Sequence, residues 1–269
     1  MSSEHIISIY RNSQPASAAA AETLRERLRR SGFQPCDGYQ ENAELLFVIG
    51  GDGTLLEAVH RYDFPDVPII GINTGHLGFF QEIRPDQLDD FLHHYQRGEY
   101  TLQDLPTIQA RVLLPGGRKE VHRGLNEVII RNVGSFTTHL NIFLGGSFIE
   151  KFSGDGILVA APAGSTAYNY SLGGAIVDPR LQLMQLTPIA PMNTVAYRSF
   201  TSSILLPSDL QIEIIPEYLE GNTSALLIDG LETNYRDVEK FIVEYSETRV
   251  HLLRFENYDF WNKVKSKFL

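Results

Sequence analysis

Gly50-Gly51-Asp52-Gly53-Thr54 combine three glycines, a carboxylate and a hydroxyl directly after the apolar run Leu45-Leu46-Phe47-Val48-Ile49. Glycine lets the chain turn tightly and brings backbone N–H groups within reach of a phosphate. Leu55, Leu56, Val59 and Tyr62 continue at helical spacing, and the start of a helix favours an anion. The pattern predicts a strand–turn–helix unit whose glycine backbone a phosphate can approach. Asp52 runs against that reading, because a carboxylate repels phosphate. A base, a magnesium ligand or a cap on the following helix would each account for it. The turn carries neither the GxxxxGK[ST] spacing nor a GxGxxG fingerprint. Phosphate charge must then be met by backbone N–H groups, Mg2+ and residues from elsewhere in the chain.

Three further clusters have the composition of a binding site. Asn73-Thr74-Gly75-His76-Leu77-Gly78-Phe79 is a second glycine-rich turn after an apolar run. Asn126 and Glu127 place an amide beside a carboxylate, which suits a ribose or an adenine edge. A turn-forming Asn beside a solvated Glu is the simpler account of the same pair. Ser153-Gly154-Asp155-Gly156 precedes a strand-like run, Ile157 to Ala161, and a stretch of small and hydroxyl residues follows from Pro162 to Ser171, ending at Gly173-Gly174. Small side chains admit a flat ligand, hydroxyls orient it, and a tyrosine stacks on a base. That stretch predicts a structured binding loop.

The elements that must position these residues change character near Tyr100. Before it, strands at His5 to Tyr10, Leu45 to Ile49 and Val67 to Ile72 alternate with helical patterns at Ala16 to Arg30, after Thr54, and at Asp86 to Arg97. Such alternation predicts a parallel sheet with covered faces, with ligands beyond the carboxyl ends of its strands. After it the period is two, with hairpin signals at Pro115-Gly116-Gly117 and Gly145-Gly146-Ser147. Further strands are expected at 202–206, 210–215, 225–228 and 240–245. The tail from Phe260 to Leu269 reads as a short amphipathic helix returning to the first domain. The expected division is an α/β domain of residues 1–100 completed by 250–269, and a β-rich domain of residues 101–249.

Composition bounds the rest. With 269 residues and 43% hydrophobic content the chain is long enough for one or two folded domains. No run approaches the roughly 18 apolar residues of a membrane span, and residues 1–11 lack the pattern of a signal peptide. Cys36 is the single cysteine, which excludes an internal disulfide and suits a reducing cytoplasm. A formal net charge of −10 speaks against nucleic-acid or anionic-membrane partners. It leaves a nucleotide substrate open, because one local site can invert the global sign.

Together these residues closely resemble the NAD kinase family over nearly the whole chain: positions 50–54, 71–79, 126–127, 154–156 and 164–174. Glycerolipid and sphingoid kinases and phosphofructokinases share the glycine turn alone; the co-occurrence of all five in this order is specific. The resemblance implies an α/β N-terminal domain with a parallel sheet and a β-rich C-terminal domain. It implies Mg2+-dependent (or other divalent cation-dependent) phosphoryl transfer from ATP, with polyphosphate as an alternative donor, to the 2′-hydroxyl of the adenosine ribose of NAD, giving NADP. Asp52 is implied as the proton acceptor, and Gly50, Gly51, Gly53, Thr54 and Asn73 as phosphate-binding residues. The NAD contacts implied are Asp52, Gly53, Asn126, Glu127, Ser153, Asp155, Ala163, Thr166, Ala167, Tyr168, Asn169, Ser171 and Ala190, with Asp229 a further one. No individual metal ligand is implied. The resemblance also implies a cytoplasmic dimer or tetramer.

Two departures stand out. Ala161-Pro162-Ala163 replaces a proline usually flanked by hydroxyl residues, which removes one or two ligand hydrogen bonds. Ser153 stands where many members carry an arginine. A lipid or sphingoid kinase and a non-catalytic NAD(P)-sensing module are the competing readings. The acidic charge, the lack of a membrane-facing patch and the loop after Gly154 speak against the lipid kinase.

Overall fold

Leu45–Gly50 is buried at all six positions, a condition a strand meets only when both faces of its sheet are covered. In the computed structural model, residues 5–75, 78–134, 136–194, 198–217, 223–255 and 258–268 are described. His76 and Leu77 of the second glycine turn, the first four residues and Leu269 lie outside them. The chain divides into two compact units, residues 1–104 with 249–269, and residues 105–248.

In the first unit β1 (Ile6–Arg11), β2 (Gln34–Asp37), β3 (Leu45–Gly50) and β4 (Ile69–Asn73) run parallel in the order β2-β1-β3-β4. β5 (Gln81–Ile83) pairs parallel with β4. Side chains alternate along β3, so Leu45, Phe47 and Ile49 share one face. They pack there with Leu24 and Leu28 of α1 (Pro15–Arg30) and Phe91 of α3 (Leu88–Gln96). α2 (Asp52–Arg61) packs against β3 and buries Leu55, Ala58 and Val59. The helix expected at 86–97 is shorter: Pro85–Gln87 forms a 3₁₀ turn first. There the Gln87 side chain accepts the Arg84 N–H at 2.9 Å and fixes the entry to α3.

The second unit is β-rich. Its strands are β6 (Thr101–Leu114), β7 (Arg118–Gly124), β8 (Glu127–Asn132), β9 (Thr138–Leu144), β10 (Ser147–Gly154), β11 (Gly156–Ala160), β12 (Leu183–Ile189), β13 (Ile204–Pro207), β14 (Ile212–Pro216), β15 (Thr223–Ile228), β16 (Leu231–Arg236) and β17 (Lys240–Arg254). One antiparallel sheet has the order β13-β12-β11-β8-β15-β16. The other runs β10-β9-β14-β17, with β6 pairing both β7 and β17. Val128, Ile130, Ile157 and Val159 from the first sheet share one core with Leu140, Ile142, Phe152 and Phe241 from the second, as in a sandwich.

Some strands have no counterpart in the sequence pattern, and one outruns its expected bounds. β16 is exposed at five of its six positions and carries Glu232, Thr233 and Asn234. β12 buries Gln185, Thr187 and Pro188 at positions where a hydrophobic period would need apolar residues. β17 runs nine residues past Tyr245, through Glu247, Arg249 and His251, where charges break the period.

The end of β17 belongs to the first unit, where Leu252 pairs with Ile69. α5 (Phe260–Phe268) follows, buries Val264, and places Phe260 and Phe268 each 5.8 Å from the Phe79 ring. Arg254 and Glu82 form an ion pair at 2.8 Å with side chains 4% and 5% exposed. Arg254 also donates to the carbonyls of Phe79 and Phe80. No helix among the described residues is long and apolar enough to cross a membrane. Removing one member of a buried pair strands the other charge, at about 3–5 kcal/mol. Arg254→Met is therefore expected to lower the unfolding free energy by about that amount, read from urea denaturation against the wild-type chain.

Candidate active site

Gly50 and Asn73 are register partners at the carboxyl ends of β3 and β4, where open α/β sheets bind ligands. Gly50 has φ +156, and a Cβ there would collide with Thr54 Oγ1 and lie 2.8 Å from Asn12 Nδ2. Asn12 Nδ2 in turn donates to Thr54 Oγ1 at 3.1 Å, so the end of β1 braces the turn. Asn73 Oδ1 accepts the Gly75 N–H at 2.9 Å. Thr74 and Ser17 join hydroxyls at 2.7 Å, which ties the second glycine turn to α1. A Cβ on Gly51 or Gly53 would meet nothing within 4 Å. Packing makes no demand for glycine at those two positions, and the space beside their backbone is open to a ligand. Gly51 caps α2 without a side-chain bond; the Thr54 N–H bonds the Gly51 carbonyl at 3.0 Å, leaving the Asp52 and Gly53 amides as donors at the positive end of the helix.

Asp52 does not cap its own helix. Its Oδ2 accepts the Phe79 N–H at 2.8 Å and its Oδ1 the Phe80 N–H at 3.1 Å. A Cβ on Gly78 would collide with this carboxylate, so glycine is what lets the backbone close on it. The other side of the same backbone is held by cations. Arg254 donates to the Phe79 and Phe80 carbonyls at 3.2 Å, and Lys263 to those of Phe79 and Gln81. Lys263 is largely buried. Desolvation pulls its ammonium down to about 8, the Arg254 charge adds to that, and Glu82 and Asp52 oppose it. Lys267 Nζ lies 3.8 Å from Asp52 Oδ2. Among the described residues, no group of three or more His, Cys, Asp or Glu is arranged to hold a metal. One carboxylate beside a phosphate cradle fits a divalent cation held mainly by a substrate's phosphates, as Mg2+ commonly is.

In the second unit, Asn126 and Glu127 enter β8 through a turn fastened by Asp229. The Asp229 carboxylate accepts the N–H groups of Leu125, Asn126 and Glu127 at 2.7, 2.8 and 3.1 Å. Asp229 has φ +49, a conformation that aspartate tolerates better than most residues. Both site side chains are buried rather than solvated, and Asn126 Oδ1 and Glu127 Oε2 have no protein partner. Burial, reinforced by the Asp229 charge, pushes Glu127 up to about 8. Buried polar atoms in a folded protein are normally satisfied, so these two mark where a polar ligand would bond. Gly164 is forced by the same turn, because a Cβ there would collide with the Asn126 carbonyl.

The chain crosses from one sheet to the other at Asp155, between β10 and β11. The flanking glycines have no room for a side chain: a Cβ on Gly154 would lie 2.9 Å from the Ala190 carbonyl, and one on Gly156 2.7 Å from that of Ile130. Asp155 itself is exposed. Ala190, with φ +43, adjoins Ile189, whose carbonyl accepts the Asp155 N–H at 2.9 Å. Ser153 is fully buried, and its hydroxyl pairs with His139 Nδ1 at 2.8 Å. It serves the interior of the fold rather than an open face.

Residues 162–171 do not form a plain loop. Ala163–Thr166 is a 3₁₀ turn and Tyr168–Ser171 a single helical turn, α4. Ser165 and Asn169 face inward, Ser165 bonded to Val177 and Asn169 accepting from Thr187 at 2.7 Å. Thr166 and Ala167 are half-buried, while Tyr168 and Ser171 are exposed. The segment thus presents Thr166, Ala167, Tyr168 and Ser171 on an anchored base, with Asn169 holding it from beneath. Sequence reading missed Asn12, Arg254, Lys263 and Lys267. The lysine-rich tail was the one signal for the last two.

Residues 17–100 match the family model for the ATP-NAD kinase N-terminal domain, and residues 125–255 that for the ATP-NAD kinase C-terminal domain. A NAD kinase of Finegoldia magna is 36% identical over 267 residues, covering 98% of both chains. One of Streptococcus pneumoniae is 35% identical over 266 residues, covering 98% of this chain and 96% of the other. Yeast NADH kinase complexed with NADH superposes with a TM-score of 0.85 at 19% identity, over 97% of this chain and 86% of that one. An NAD kinase from Archaeoglobus fulgidus in complex with ATP gives 0.77 at 23% identity, over 97% and 99%. The fold agrees with both structures, and on the match of both domains and of full-length relatives the chain belongs to the ATP-NAD kinase family.

Proposed function

We propose that this chain transfers the terminal phosphoryl group of ATP to the 2′-hydroxyl of the adenosine ribose of NAD, giving NADP, with Asp52 as general base. The observation that carries the reading is the Asp52 carboxylate, fixed by two amides beside an uncapped helix start and two open glycines. A hydroxyl is a weak nucleophile until a positioned base takes its proton. Each Asp52 oxygen spends one lone pair on an amide and keeps the other for that proton. The α2 amides and the turn take the phosphates of the donor. Asn126, Glu127, Asp155, Thr166, Tyr168 and Ser171 take the dinucleotide, and the buried atoms without partners at Asn126 and Glu127 support that assignment. Mg2+ bound with ATP would supply charge neutralisation across the phosphates. The same reading takes the enzyme to be a cytoplasmic dimer or tetramer, and light scattering of the purified chain checks the assembly.

A coupled assay of NADP(H) formation with ATP and either NAD or NADH tests the reaction; no product from either overturns it. Asp52→Asn is expected to lower kcat by about 10²–10⁴ while the KM for NAD stays within a few-fold. Excess Mg2+ should recover none of the loss; recovery would make Asp52 a metal ligand instead of a base.

Glu127 gives a second test, in stability. Its folded pKa of about 8 lies above the ordinary 4.5. Both states are protonated below that lower value, and between the two the unfolded chain gives up the proton while the folded chain keeps it. The ligand-free protein should therefore lose stability as pH rises from about 4.5 to 8. Glu127→Gln should flatten that slope in urea midpoints taken at pH 5, 6.5 and 8.

A further inference from the structure

The glycine turn has no lysine of its own, and α5 brings one to it. Phe260, Val264 and Phe268 lie along one side of α5, with the Phe79 ring contacted by the first and last of them. Lys263 and Lys267, one turn apart, flank this stripe. Lys263 is largely buried and gives its donors to the carbonyls of Phe79 and Gln81. Lys267 differs in every respect. Its side chain is 36% exposed, and its Nζ stands 3.8 Å from Asp52 Oδ2, beyond hydrogen-bond range. The same nitrogen lies 4.8 Å from the centre of the Phe79 ring, a contact that positions an ammonium without consuming its N–H groups. Among the described residues, Lys267 makes no hydrogen bond.

We propose that Lys267 is the phosphate-binding cation of the donor site. It offers the triphosphate of a bound nucleotide the charge that a lysine within the turn supplies in GK[ST] loops. The proposal rests on the phosphoryl-transfer reading above. Ion-paired with Asp52 at 3.8 Å and hydrogen-bonded to none of the described residues, the ammonium on its flexible stem can leave its stance near Asp52 for the oxygens of a phosphate chain lying along Gly51 and Gly53.

The test measures the KM for ATP and the KM for NAD separately in K267M, K267R and K265M, with inhibition by inorganic tripolyphosphate as a probe of the phosphate site alone. K265M removes the same charge from an exposed position of α5. The expected result is a rise of tenfold or more in the KM for ATP in K267M, with the KM for NAD within twofold. Tripolyphosphate inhibition should weaken in parallel, K267R should recover most of both, and K265M should match the wild type. An unchanged KM for ATP in K267M, or equal rises in both KM values, overturns the proposal. Should K267M melt well below the wild type, K267Q replaces it under the same criteria. A wild-type enzyme that forms no NADP(H) defeats the phosphoryl-transfer reading itself. Calorimetric binding of tripolyphosphate, lost in K267M, would still identify the cation.

Discussion

The backbone at Phe79 and Phe80 is gripped from two sides, and the placement of Asp52 depends on that grip. Its N–H groups go to Asp52 and its carbonyls to Arg254, with Lys263 adding to the carbonyl side. Each partner is charged, so each bond is of the stronger, charge-assisted kind. The arrangement fixes the carboxylate by the same contacts that fix the loop, and no dedicated element is needed to orient it. Gly78 is the steric condition for this, since any side chain there would occupy the space of the carboxylate.

The second unit repeats the device with different parts. Asp229 gathers three consecutive amides and so sets the Asn126-Glu127 turn, while its charge helps keep Glu127 protonated to higher pH. Two aspartates thus act on backbone rather than on one another. The side chains they set in place, or the oxygens they leave over, are the groups with unmet hydrogen-bonding capacity. A buried acceptor without a partner costs stability, and Asn126 Oδ1 and Glu127 Oε2 carry that cost.

The change from an α/β to a β-rich architecture was legible because it rests on hydrophobic period, and β3 and β4 announced themselves as continuous apolar runs. The glycines of residues 50–54 were legible for a similar reason: glycine in strand–helix context has few other uses. Strands whose pairing is polar or at a sheet edge, such as β12 and β16, left no such trace. Neither did the division of labour within residues 163–171, where Ser165 and Asn169 turn inward among look-alike neighbours. Composition shows that hydroxyls and amides are present, and only packing decides which of them hold the backbone. Lys263 and Lys267 were invisible as neighbours of Asp52 because sequence distance hides them. They reach Asp52 only after the chain has run through the whole second unit.

That late arrival bears on how the molecule is made. The sheet carrying the glycine turn needs Leu252 beside Ile69 and α5 against Phe79, so the first unit is discontinuous in the chain. During synthesis the residues of the turn emerge early but remain without Arg254 and Lys263 to hold the loop over Asp52. The surroundings of Asp52 are completed only when residues 249–268 have left the ribosome. Contacts of such long sequence separation slow folding. Here they also act as a check on completeness, because a nascent or prematurely terminated chain displays the glycine cradle without the loop that makes Asp52 rigid.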